Sequence, residues 1–215
     1  MPHVFVETNW VFAYAAPAHH QIPTAVQLLE RARSGEFVLH VPNLCLAEAR
    51  DAIRARCQPR TEANALRKFL SWATRDGTVT ADDAHAVGTV LSKFENSLER
   101  DLERLDDQLR AISVLPFVDV FALDETMLAR ATELILSGIA LRPFDQSILA
   151  GILVTAERLW NSRERELSFC EADADLQPWD KRGQVKPELR DVYDRAHLWV
   201  YGDFSLTEPA RRLGF

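Results

Sequence analysis

Val4-Phe5-Val6-Glu7-Thr8-Asn9 is the stretch on which the fold of this chain turns. Its three apolar, β-prone residues make a strand at the extreme N-terminus. Glu7 closes that strand, Thr8 and Asn9 offer a helix cap, and an apolar helical run follows from Trp10 to Ala16. A carboxylate between an apolar strand and an apolar helix lies at the rim of the core, where a lone charge is costly to bury. Glu7 is therefore expected to share its site with something that offsets its charge.

The alternation that starts here continues down the chain. A turn spans Pro17 to Pro23, and Thr24 is the expected cap of a helix carrying Ala25, Leu28, Leu29 and Ala32 at helical spacing, with Gly35 ending it. Phe37–Val41 reads as a second strand, and Pro42-Asn43 opens a helix containing Leu44, Leu46, Ala47, Ile53 and Ala55. Phe117–Phe121 reads as a third strand, followed by helices over Glu125–Ser137, capped by Asp124, and from Phe144 to about Leu159. Glu166–Cys170 and His197–Tyr201 complete a set of five strands. Strands separated by helices predict an α/β fold, a three-layer α/β/α sandwich with a mainly parallel sheet, in which ligand groups gather beyond the carboxyl ends of the strands.

Two stretches read as additions to a single domain spanning 1–215. Residues 61–113 contain no strand and predict a shorter helix, a turn at Asp76-Gly77 and a long helix over about 82–111. On the long helix Val87, Leu91, Phe94, Leu98, Leu102, Leu105, Leu109 and Ile112 follow three/four spacing, for a length of about 45 Å. Such a helix either packs as a hairpin on its own domain or offers a surface to a second copy or another protein. Residues 177–196, with Pro178 and Pro187, predict a charged surface loop carrying a short helix.

Composition narrows the function. Apolar residues at 47% and charged residues at 27% describe an ordinary globular chain, which sets disorder aside. A net charge of −7 argues against a protein that coats nucleic acid through phosphate contacts alone. It is compatible with a carboxylate cluster whose charge bound ions cancel. The three cysteines, Cys45, Cys57 and Cys170, form no Cys-x-x-Cys pair and read as buried thiols. The start, Met1-Pro2-His3-Val4, lacks the features of a signal peptide, and no apolar run is long enough to span a bilayer, so a cytoplasmic protein is expected.

Beyond Glu7, acids recur at strand ends or on the helices that follow. Glu48 lies two turns into the helix after the second strand, Asp145 sits in the first turn of Phe144-Asp145-Gln146-Ser147, and Asp173 and Asp175 follow the fourth strand. Each alone has an ordinary role: a dipole partner for Asp145, a solvated face for Glu48, a turn for Asp173 and Asp175. In a parallel sheet they would converge on one edge, and crowded carboxylates require a positive partner. Mg²⁺ or Mn²⁺ suits oxygen ligands. The six histidines are scattered without a His-Glu-x-x-His, so zinc is not expected. No Gly-x-Gly-x-x-Gly or Walker loop supports a nucleotide-cradling domain.

The order Val4-Phe5-Val6-Glu7-Thr8-Asn9, Val41-Pro42…Ala47-Glu48, Asp145…Ile148-Leu149-Ala150 and Asp173-Ala174-Asp175-Leu176 resembles the PIN domain, the fold of PIN-like ribonucleases and of the toxin branch of toxin–antitoxin systems. In that family the first acid is usually aspartate; here Glu7 is one methylene longer, and Asn9 keeps the polar position two residues on. The resemblance implies a metal-dependent endonuclease acting on RNA in preference to DNA. Glu7, Glu48, Asp145 and Asp173 would be the catalytic acids, with the metal held by Glu7, Asp145, Asp173 and Asp175. Asn9, Arg142, Trp179, Lys181 and Arg182 are candidate substrate contacts, Trp179 by stacking on a base. Trp10 and Tyr14, at i and i+4, read instead as core. The alternatives are a toxin with the same chemistry held by an antitoxin partner, and a degenerate domain that binds RNA or protein without cutting.

Overall fold

The computed structural model describes residues 1–207, the side chains at 60 and 62 excepted. Five strands form one sheet: β1 (His3–Phe5), β2 (Val38–Pro42), β3 (Val118–Phe121), β4 (Leu167–Cys170) and β5 (Trp199–Tyr201). Their order is β3-β2-β1-β4-β5 and every pairing is parallel. The helices are α1 (Thr8–Ala15), α2 (Pro23–Arg33), α3 (Asn43–Arg56), α4 (Pro59–Asp76), α5 (Ala81–Ile112), α6 (Glu125–Leu136), α7 (Pro143–Asn161) and α8 (Pro187–Arg195).

Strand order and handedness set the layers. The crossovers β1→β2 and β2→β3 step one way along the sheet, and β3→β4 and β4→β5 step the other way. Right-handed crossovers then put α1–α5 on one face and α6–α8 on the other. The packing agrees: α1 meets α2, α3 and α5, while α6 meets α7. The result is the three-layer α/β/α sandwich expected from the sequence. The crossovers diverge between β1 and β4, which makes the carboxyl ends of these two strands the topological switch point of the sheet.

A parallel sheet covered on both faces needs apolar strands, and all three β1 residues are buried. Trp10 is fully buried on α1, stacks on Tyr14 at 5.7 Å, and donates its indole N–H to the Ala25 carbonyl at 3.1 Å. Cys45, Cys57 and Cys170 are buried free thiols. α7 is apolar around most of its circumference, with Ile148 through Leu153 all buried, as a helix enclosed by its own domain should be.

Several local expectations change. Glu7 itself, not Thr8 or Asn9, caps α1: its carboxylate accepts the Asn9 N–H at 2.7 Å, so the helix begins two residues early. Ile22 rather than Thr24 occupies the cap position of α2, because Pro23 fits the first helical turn. The turn before it contains a 3-10 segment, Ala18–His20. The stretch 177–196 is not a purely surface loop: Trp179, Leu189, Val192 and Tyr193 are buried in the main core.

α4 and α5 form the predicted hairpin, turned by Gly77 at φ 80°. Arg67 pairs with Glu95 across it, and Arg50 and Arg54 of α3 hold Asp106 of α5. Leu98, Leu105 and Ile112 of α5 are buried. The outer side of α4 leaves Phe69 and Trp72 about half exposed.

Parallel register also joins two histidines that the sequence keeps apart. His3 Nδ1 lies 2.8 Å from His40 Nε2, and His40 Nδ1 lies 2.9 Å from an Asp119 carboxylate oxygen. Both rings are buried. Burial first, and the neighbouring His40 second, hold the His3 imidazole below its ordinary range.

Candidate functional site

β1 and β4 pair with Phe5 opposite Phe169. Continuing that register by two residues sets Glu7 opposite Glu171, both just past the carboxyl ends of their strands. Glu7 is 4% exposed and Glu171 is fully buried. Each is tied to the chain that follows it: Glu7 Oε1 accepts from the Asn9 N–H at 2.7 Å, and Glu171 Oε1 accepts from the Asp173 N–H at 2.5 Å. The second oxygen of Glu171 is buried with no hydrogen-bond partner.

Glu48, Asp145 and Asp173 stand around this pair. α3 carries Glu48, half-buried, whose Oε2 accepts from the Thr8 hydroxyl at 2.5 Å. The first turn of α7 carries Asp145, 6% exposed. The loop after β4 carries Asp173, half-buried, whose Oδ1 accepts from the Asp175 N–H at 2.8 Å.

The crowding registers in the acid chemistry. Burial is the main cause that pushes Glu7 up to about 8; Asp173, Glu48 and Asp145 add repulsion, and the Asn9 N–H opposes the shift. Burial and then Glu7 raise Glu171 well above the carboxylate range, with Asp173 and Asp145 contributing less. The Tyr193 phenol and the Cys45 thiol are both pushed up, first by burial and then by these same acids. One cation meets the group from outside: Arg142 places Nε 2.8 Å and Nη2 3.4 Å from the two Asp145 oxygens, and Nη2 lies 4.0 Å from Asp173 Oδ2.

No family model matches this chain. Neither does any curated protein or solved structure. What can be said of the site therefore rests on its geometry.

The structure brings together Glu7, Glu48, Asp145 and Asp173, with Arg142 against them. It does not bring in Asp175, Trp179, Lys181 or Arg182, whereas Asn9 orients the first acid. Asp175 is exposed and contributes its backbone, donating to Asp173; it does not figure among the acids that raise Glu7 or Glu171. Trp179 is 9% exposed and packed in the core, so its face is not presented to a base. Lys181 and Arg182 are exposed at the tip of a small turn closed by the Trp179–Val185 bridge, where Asp180 accepts the Arg182 and Gln184 N–H groups. Asn9 acts through its backbone N–H on Glu7.

Sequence reasoning passed over two residues. Glu171 carries the same signature as Glu7, a glutamate directly after an apolar strand, in Leu167-Ser168-Phe169-Cys170-Glu171. Thr8, between Glu7 and Asn9, looks in the sequence like a cap and instead fixes Glu48.

The donor set is entirely carboxylate, the chemistry that suits Mg²⁺ or Mn²⁺. The unpartnered, fully buried Glu171 oxygen is the position at which such a set lacks a positive partner. Among the described residues no three His, Cys, Asp or Glu side chains are gathered closely enough to grip an ion as they stand. Asp145 is turned to Arg142, whose guanidinium already engages both its oxygens.

Proposed function

We propose that the chain is a metal-dependent endonuclease of the PIN-domain type, hydrolysing phosphodiester bonds in RNA. The observation that carries this reading is the fully buried, unpartnered Glu171 oxygen beside Glu7, Asp145 and Asp173 at the switch point of a parallel sheet. Carboxylates are not packed in this way to stabilise a fold, because each desolvated charge opposes the next.

Glu7, Asp145, Glu171 and Asp173 would hold Mg²⁺ or Mn²⁺, with Glu48 beside them. Such an ion lowers the pKa of a bound water and offsets charge on the phosphate. The protein's own groups do the positioning. Asn9 N–H and Asp173 N–H each hold one oxygen of Glu7 and Glu171 and leave the second oxygen for the ion. Thr8 fixes Glu48, and Arg142 supplies a guanidinium suited to a phosphate oxygen.

Incubation of the protein with single-stranded RNA and Mn²⁺ tests this reading. Glu7→Gln, Glu171→Gln and Asp145→Asn should each lower the cleavage rate at least about a hundredfold, the scale of losing one group that acts only in the transition state. EDTA should abolish cleavage. Cutting that survives EDTA, or all three substitutions, overturns the reading. A second reading, binding without cleavage, is favoured by the Arg142–Asp145 pair. RNA binding by a protein that takes up no Mn²⁺ in calorimetry supports that reading instead.

A further inference from the structure

We propose that Arg142 is a tethered counter-ion with two positions. In the ion-free protein it neutralises Asp145 in place of a metal; with a divalent ion bound it releases Asp145 and turns to a substrate phosphate. This inference rests on the metal-dependent reading of the site above.

The pair is asymmetric. The Asp145 side chain is 9% exposed and the Arg142 side chain is 71% exposed. Asp145 cannot return to water without unpacking α7. Arg142 can leave by rotating its own side chain and loses little solvation by staying or going. Its backbone does not need to move: Arg142 is the extended cap residue of α7, Pro143 follows it in the first helical turn, and its carbonyl accepts the Gln146 N–H at 3.0 Å. A backbone fixed at the helix start and a largely exposed guanidinium together allow a side-chain switch.

The contact geometry makes Arg142 a competitor rather than a bystander. Nε at 2.8 Å and Nη2 at 3.4 Å engage the two Asp145 oxygens, so the guanidinium occupies one acceptor position on each. The same Nη2 lies 4.0 Å from Asp173, a second expected ligand. An ion drawn to these acids therefore competes with the guanidinium for Asp145. Once displaced, Arg142 remains a permanently charged, planar donor on the solvent side of the acids, where a phosphate bound at the same ion would lie. Lys186 is already committed to backbone: its ammonium donates to the Ala174 and Asp175 carbonyls of the loop after β4.

The two positions predict changes of opposite sign in one variant. Arg142→Gln removes the competitor, so Mn²⁺ should bind about fivefold more tightly in calorimetry, the upper end for an ion pair with one exposed partner. The same variant should bind a fluorescein-labelled single-stranded oligo-uridylate less tightly in Ca²⁺. The slope of log affinity against log salt should fall by about 0.7, one phosphate contact fewer. Arg142→Lys keeps the charge without the two-bond geometry and should fall between wild type and Arg142→Gln on both measurements.

Unchanged or weakened Mn²⁺ binding by Arg142→Gln, with wild type binding normally, overturns the competitor role. Tighter Mn²⁺ binding with unchanged oligonucleotide affinity overturns the second position. If neither wild type nor Arg142→Gln binds Mn²⁺, the metal-dependent reading itself fails, and this inference with it.

Discussion

Replacing Glu7 by glutamine should stabilise the ion-free protein, by an amount that depends on pH. Glutamine keeps the oxygen that accepts the Asn9 N–H, so the α1 cap is preserved. What it removes is a carboxyl that titrates near 8 in the folded chain, against the ordinary 4.5. The folded state thus binds a proton that the unfolded state releases between those values, and stability falls as pH rises through that window. The full loss, present above pH 8, is about 5 kcal/mol. For a chain of this length that corresponds to roughly 10–20 °C in Tm. In EDTA, Glu7→Gln should match wild type near pH 4.5 and exceed it progressively up to pH 9, followed by circular dichroism. Mn²⁺ should reverse the order, because the ion stabilises the site that wild type retains intact. A Glu7→Gln protein that gains nothing between pH 5 and 9, or gains equally at both ends, would refute the claim that Glu7 is a buried acid held against its neighbours.

Two further outcomes follow from the core. Trp10→Ala should cost about 3–5 kcal/mol in denaturant unfolding, since it empties a fully buried site and leaves the Ala25 carbonyl without its indole donor. Unfolding midpoints within experimental error of wild type would show that α1 does not depend on this side chain. His3 gives the opposite pH trend to Glu7: its folded pKa lies below 6.5, so its contribution is complete above that pH and is lost as pH falls below it. In a Glu7→Gln/Glu171→Gln background, which removes both raised acids, stability should fall as pH drops below 6.5, and His3→Leu should flatten that limb; an undiminished limb would place the titration elsewhere.

Much of the fold could be read locally. Val4-Phe5-Val6 and Phe37–Val41 are strands by residue type, and the leucines of α5 recur at helical period. Alternating elements then implied a parallel sheet, which the strand order realises. The boundary errors are those where a side chain acts as a cap. Glu7 satisfies the first turn of α1 only because its carboxylate folds back on Asn9, a geometry that glutamate's place in the sequence does not reveal. Trp179 looked available because Pro178 and the charges after it mark a loop; tertiary packing drew its ring into the core.

What the sequence determined by itself is the set of elements and the position of an acid at the end of each relevant strand or helix, because period, caps and turn residues act over a few residues. Only the tertiary structure decided which acids share a site. Parallel pairing of β1 with β4 sets Glu7 opposite Glu171 across a separation that no local pattern encodes. The folded position of α7 carries the local Arg142–Asp145 pair to them and sets Arg142 4.0 Å from Asp173, so the charge that answers the acids comes from a third segment of the chain. Coulomb interactions act over ångströms of space rather than steps of sequence, and that is why Glu7, Glu48, Asp145 and Asp173 stand out in the chain while their pairing, and the place of Glu171 among them, does not.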